Sequence, residues 1–167
     1  MNSVAGTFPA AWPLPVRQPY EGRHVRLTPL RADEDAAELF QAGHEPAEAQ
    51  AIWRHLWYGP FASETDFRDW LRTLEAGTDP LYFTVTSRQD GRRVGMISIM
   101  RITPEHGVAE LGHIWYGRAA QRTPANTEAV FLLLRHLFDD LGYRRVEWKC
   151  DARSPAPRRV RARPERV

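Results

Sequence analysis

The stretch with the clearest chemical content runs from residue 109 to residue 129. It reads Ala109-Glu110-Leu111-Gly112-His113-Ile114-Trp115-Tyr116, a Gly-Arg-Ala-Ala link, then Gln121-Arg122-Thr123-Pro124-Ala125-Asn126-Thr127-Glu128-Ala129. Threonine is a good helix N-cap. Proline suits the first helical position, because its missing N–H would find no intrahelical partner there. Thr123 and Pro124 therefore predict a helix start whose Ala125 and Asn126 N–H groups point outward. The partial positive charge of such a terminus, with Arg122 beside it, suits a phosphate. A well-capped helix with no ligand accounts for the same residues equally well.

Other reactive side chains carry less. His44, His106 and His136 lack metal-ligand spacing with one another or with Cys150, so no metal site is expected. Cys150 is the single cysteine. It alternates with Val146 and Trp148, which predicts a buried structural thiol and not a nucleophile. Trp53, Trp57, Tyr58 and Phe61 form an aromatic cluster that can shape an acceptor pocket or simply fill a core.

The elements that must position these residues follow from periodicity. His24–Thr28 alternates as a short strand, and 32–43 carries Ala36, Leu39 and Phe40 at helical spacing. A second helix is expected over 46–57. Ser63 and Asp66 make a capping box ahead of Phe67, Trp70, Leu71 and Leu74, an amphipathic helix closed by Gly77 and Pro80. Three strands follow, over 81–86, 94–102 and 108–116, joined by turns at 88–91 and 104–107. The middle one is apolar on both parities, which predicts cover on both faces. A helix over 127–141 ends at Gly142, where a left-handed C-cap belongs. A last strand is expected over 143–151. This order is α/β (or α+β) with a mixed sheet.

Composition bounds the class. The chain has 167 residues, 43% hydrophobic and 26% charged, which fits one soluble domain and excludes collagen, a coiled coil and a disulfide miniprotein. No apolar run approaches the ~20 residues of a membrane helix, so no membrane partner is expected. One cysteine, and an N-terminus punctuated by Pro9, Pro13, Pro15 and Pro19 instead of a signal segment, point to the cytoplasm. The pI near 9.0 comes from the tail, where residues 152–167 hold six arginines against one glutamate. No aromatic interleaves with them, so a solvated tail is favoured over a nucleic-acid arm. The expected organisation is an extended Pro-rich leader over 1–23, one domain over 24–151, and an Arg/Pro-rich tail over 152–167.

Five blocks together resemble the GNAT N-acetyltransferases, in particular the branch of ribosomal-protein N-terminal acetyltransferases. They are Leu27-Thr28-Pro29-Leu30, Trp53 through Tyr58-Gly59-Pro60-Phe61, Glu110 through Tyr116, Gln121-Arg122-Thr123 through Ala129, and Leu141-Gly142-Tyr143-Arg144-Arg145-Val146-Glu147-Trp148-Lys149-Cys150-Asp151. Val94-Gly95 adds to them. The resemblance implies a mostly antiparallel mixed sheet flanked by helices and an acetyl-CoA site beside a splayed strand. Ile114, Trp115 and Tyr116 would line the pantetheine, and Gln121, Arg122, Thr123, Ala125, Asn126 and Thr127 the pyrophosphate. Arg122 and Pro124 stand where the family usually has glycines; Arg122 can compensate with charge.

The implied reaction is direct attack of a primary amine, on a peptide N-terminus or a small molecule, on the thioester. Glu110 or His113 would serve as base, and Tyr116 would reprotonate the thiolate. Trp53, Tyr58 and Phe61 would shape the acceptor pocket. A homodimer is compatible with this reading. The family normally continues past residue 151 with another helix and two more strands, so the chain is expected to be truncated or frame-shifted there. A catalytically impaired CoA-binding remnant is the alternative that this expectation raises.

Overall fold

The computed structural model describes residues 9–44, 51–54 and 56–149. Six strands form one sheet in sequence order: β1 (Tyr20–Glu21), β2 (Val25–Pro29), β3 (Leu81–Ser87), β4 (Arg93–Thr103), β5 (Val108–Tyr116) and β6 (Arg145–Trp148). Neighbours are antiparallel except β5 and β6, which run parallel. The parallel pair requires a crossover, and α3 (Pro124–Arg135) supplies it. Helices α1 (Ala32–His44) and α2 (Glu64–Ala76) connect β2 to β3.

The expected coverage of the middle strand on both faces is what the packing shows. Ile97 and Ile99 of β4 join Phe83, Val85, Leu133 and Leu137 in one core, on the α3 side. Met96 joins Leu39, Phe67, Leu71 and Tyr82 in a second core, under α1 and α2. Arg93 ties the second layer to the sheet through Asp35 at 2.6 Å and Glu38 at 2.5 Å.

Local signals place the helices well. Ser63 Oγ accepts the Asp66 N–H and donates to the Asp66 carboxylate at 2.7 Å, so Ser63 is the N-cap as expected, with Asp66 answering its hydroxyl in place of its backbone N–H. Helix α3 starts at Pro124, three residues before the helical pattern was expected to begin. It passes into a π-type turn at His136–Asp140, and Gly142 has φ +69°. Tyr20–Glu21, read as extended leader, pairs with β2, and Trp12 packs in the first core with its indole N–H on Gly142 O at 2.6 Å. Of the expected 46–57 helix, residues 51–54 form a 3₁₀ turn. Residues 46–50 of that expectation, the thiol of Cys150 and the tail lie outside the described residues.

Three register shifts interrupt the described sheet, one between β3 and β4 at Val85–Thr86 and two between β4 and β5, and the latter two bear on the site. In β4 three steps from Met100 to Thr103 oppose two in β5, with Arg101 at φ +47°. In β5 three steps from Gly112 to Trp115 oppose two in β4, with His113 at φ +51°. Positive φ at a residue other than glycine is uncommon and marks a designed feature of the pairing.

Candidate active site

Strand β5 pairs with β6 only over Val108–Leu111, ending at Leu111 opposite Trp148. From Gly112 to Tyr116 it keeps β4 on one side and, among the described residues, has no strand on the other. Ile114, Trp115 and Tyr116 lie in this half, beyond the described pairing with β6. Beyond it the chain makes a 3₁₀ turn at Arg118–Ala120 and enters α3. Gln121, Arg122 and Thr123 are exposed there, with Arg122 at φ +61°.

At the helix start Thr123 is the N-cap, as its type predicts. Its Oγ1 takes the Ala125 N–H at 3.2 Å and donates to Ala120 O at 2.7 Å. Of the two N–H groups expected to face an anion, Ala125's is thus already capped. The Asn126 N–H is left without an intrahelical acceptor by its position in the first turn. Thr127, one residue on, is exposed. Gln121 turns its amide back to Tyr116 O at 3.0 Å, closing the loop onto the strand end.

The bulge at His113 decides which side chains meet. Ala109, Leu111, Ile114 and Tyr116 belong to the core on the α3 side, whereas Trp115 belongs to the core under α1 and α2. His113 turns to that second side: its Nδ1 lies 3.2 Å from the Tyr58 hydroxyl, and Tyr82 packs on it with centroids 5.1 Å apart. Tyr116 therefore does not join His113. Its hydroxyl is buried with no hydrogen-bond partner, and burial raises its pKa. The phenol thus lies on the α3 side of the sheet, opposite the face that carries His113.

Glu110 is 6% exposed and doubly paired. Its Oε2 accepts from Arg101 Nη1 at 2.9 Å and Lys149 Nζ at 2.7 Å. Burial pushes its pKa up, but the hydrogen bonds and charges of Lys149 and Arg101 outweigh that and leave it below the ordinary carboxylate range. His113 is also displaced downward: burial lowers its pKa, Glu110 opposes and Arg101 assists. At neutral pH the site thus holds a neutral imidazole beside a fixed carboxylate. Burial raises the phenol of Tyr58, and pushes that of Tyr82 up to about 12 with help from Asp79.

The aromatic cluster divides. Trp53 is 2% exposed, donates to Gly43 O at 2.9 Å and packs on Trp115, so it is core. Tyr58 and Phe61 are half-buried and share Trp70, with centroids 4.5 and 4.9 Å away. His44 holds their loop, because its Nε2 accepts the Phe61 N–H at 2.9 Å. No site role for Arg101, Lys149, Tyr82, Trp70 or His44 is read from the sequence, where Trp70 counts only as helix core and His44 only as a histidine without metal-ligand spacing. Tyr82 carries a signal of its own, standing on the polar parity of its strand. Among the described residues no group of three or more His, Cys, Asp or Glu could hold a metal ion, and no helix is long and apolar enough to cross a membrane.

Comparison with known proteins gives concordant findings. Residues 24–163 match the family model described as an acetyltransferase (GNAT) domain. A GCN5-related N-acetyltransferase from Brucella melitensis is 40% identical, with TM-score 0.86, over 90% of this chain and 68% of that one. A probable acetyltransferase of the GNAT family from Chromobacterium violaceum is 35% identical, with TM-score 0.81, over 96% and 78%. A Vibrio cholerae structure described as a ribosomal-protein-serine acetyltransferase shares the fold at 24% identity and TM-score 0.65, over 85% and 78%. No curated protein matches the chain.

Proposed function

The chain belongs to the GNAT acetyltransferase family and is an acyltransferase, and from that premise we propose that it moves an acetyl group from acetyl-CoA to a primary amine. The observation that carries the reading is the half-open β5 strand running into the Thr123-capped start of α3. A pantetheine arm can pair with the free edge of 112–116 as a strand would. The pyrophosphate can meet the Asn126 N–H, the helix dipole and Arg122. Acetyl-CoA would supply the activated acyl group, and the cytoplasm is the compartment we assign.

On the other face His113 is the group we place as base. With Nδ1–H donating to the Tyr58 oxygen, Nε2 carries the lone pair that takes a proton from the incoming ammonium. Its depressed pKa keeps that lone pair available near neutrality. Glu110, held as a carboxylate by Arg101 and Lys149, stabilises the imidazolium that results. Tyr58 and Phe61, with Trp70, form the apolar wall against which an acceptor would lie.

Calorimetric titration of acetyl-CoA tests the cofactor half. We expect binding that weakens about tenfold in Arg122→Ala, the loss of one charge-assisted phosphate contact. Thiol release with a panel of amines and N-terminal peptides tests the transfer half, with His113→Gln inactive. No binding of acetyl-CoA at millimolar concentration would remove the proposal.

A further inference from the structure

We propose that Asp79 is a positioning residue for this site: its carboxylate fixes the bulge at Arg101, the bulge aims that guanidinium at Glu110, and the Arg101–Glu110 pair sets the charge that His113 meets. The inference rests on the reading of His113 as base, and its test is chosen to separate the two. Asp79 lies in the turn between α2 and β3. Its Oδ1 accepts the Arg101 N–H and its Oδ2 the Ile102 N–H, both at 2.9 Å. One carboxylate thus satisfies two successive amides at a point where the ladder to β5 breaks between Met100 and Thr103.

The clamp matters because packing does not hold the arginine. Its side chain is 51% exposed, yet Nη1 reaches a Glu110 oxygen in a carboxylate only 7% exposed. A long side chain at the surface loses rotamer freedom to make such a pair, and gains little from solvent-screened charge alone. Left-handed backbone at Arg101 costs further energy. Two amide bonds to a charged acceptor offset that cost and fix where the side chain departs from the strand.

The titratable and charged groups that face His113 are Tyr58 from the loop before α2, Tyr82 from β3, Glu110 from its own strand and Arg101 from β4. Lys149 acts through Glu110. Glu110 favours the protonated ring and Arg101 opposes it. If the clamp is released and the guanidinium swings to solvent, Glu110 loses half its counter-charge and the ring holds a proton to higher pH.

The test is an NMR titration of the imidazole nitrogens in the full chain, with His113 identified by its absence in His113→Gln. Asp79→Ala and Arg101→Gln should move the His113 midpoint upward, and Arg101→Lys, which keeps the cation, should leave it with the wild type. The acid limb of kcat/KM for the amine should move the same way, costing about two- to threefold at pH 6 relative to pH 8. Should Asp79→Ala fail to fold, Arg101→Gln carries the measurement. An unmoved His113 midpoint in folded Arg101→Gln or folded Asp79→Ala overturns the inference even if the enzyme is active. A midpoint that moves while His113→Gln keeps wild-type transferase activity upholds the Asp79–Arg101–Glu110 coupling and removes His113's assignment as base.

Discussion

Lowering the pH from 7.5 to 5 should destabilise the folded chain through His44 and His113. His44 is bonded on both edges: Nδ1 donates to Phe40 O at 3.0 Å, and Nε2 accepts the Phe61 N–H at 2.9 Å. Only the neutral ring can do both, since an imidazolium would turn a proton toward the Phe61 N–H. Burial lowers the pKa of His44, the Phe40 carbonyl opposing, and burial likewise lowers that of His113. Each ring therefore binds a proton more readily unfolded, where its pKa is about 6.5. The stability each contributes is complete above that value and is lost as pH falls through the folded pKa.

The ceiling for one such histidine is ~1.4 kcal/mol per pH unit. Both rings are half-buried, and solvent screening reduces this to about half, so the pair should cost ~1.4 kcal/mol per unit within the window. Glu110, Glu128 and Asp90 are held below their ordinary pKa values, by Lys149 and Arg101, by backbone amides, and by Ser87 and Arg92 respectively, though burial opposes each. Their contributions persist until the pH falls below the usual carboxylate range, outside this window. Urea unfolding followed by tryptophan fluorescence, at fixed ionic strength and several pH values, reads the slope. His44→Gln keeps a donor and an acceptor without titrating and should remove about half of it. Wild-type stability that is level between pH 7 and pH 5, or a slope unchanged in the His44→Gln/His113→Gln double variant, would refute the reasoning.

Two further outcomes concern the frame around the site. A Cβ at Gly95 would stand 2.2 Å from Trp115 O and 3.0 Å from Tyr116 Cα, backbone atoms that cannot yield without parting β4 from the open half of β5. Gly95→Ala should cost about 3 kcal/mol or more, seen as a lower Tm or loss of soluble protein; a wild-type Tm would mean the strands adjust freely. Glu128 accepts the N–H groups of Arg23, His24 and Val25 at 2.7, 2.6 and 2.8 Å, joining α3 to the turn before β2. Glu128→Ala should cost about 2 kcal/mol in denaturation and expose those three amides to hydrogen exchange, and unchanged protection there would show that the turn holds itself.

Signals that live within a few residues were legible: the Ser63 N-cap, the Thr123-Pro124 helix start, the left-handed Gly142 and the two-faced middle strand all stand where their types predict. The site is less legible because its decisive features join distant segments. Strict alternation along 108–116 would put Glu110, Gly112, Ile114 and Tyr116 on one face and His113 on the other. The bulge at His113 reverses that beyond Gly112, bringing the imidazole to the side of Glu110 and sending Tyr116 into the opposite core. Nothing in the run Gly112-His113-Ile114 announces a left-handed histidine, since its conformation answers to the pairing of β4 and to Tyr58, more than fifty residues earlier. The same holds at Arg101, whose backbone is shaped by Asp79 and whose guanidinium answers to Glu110. A period-two reading therefore finds the strand and its candidate groups, while the bulges, set by tertiary partners, choose which of those groups can act together.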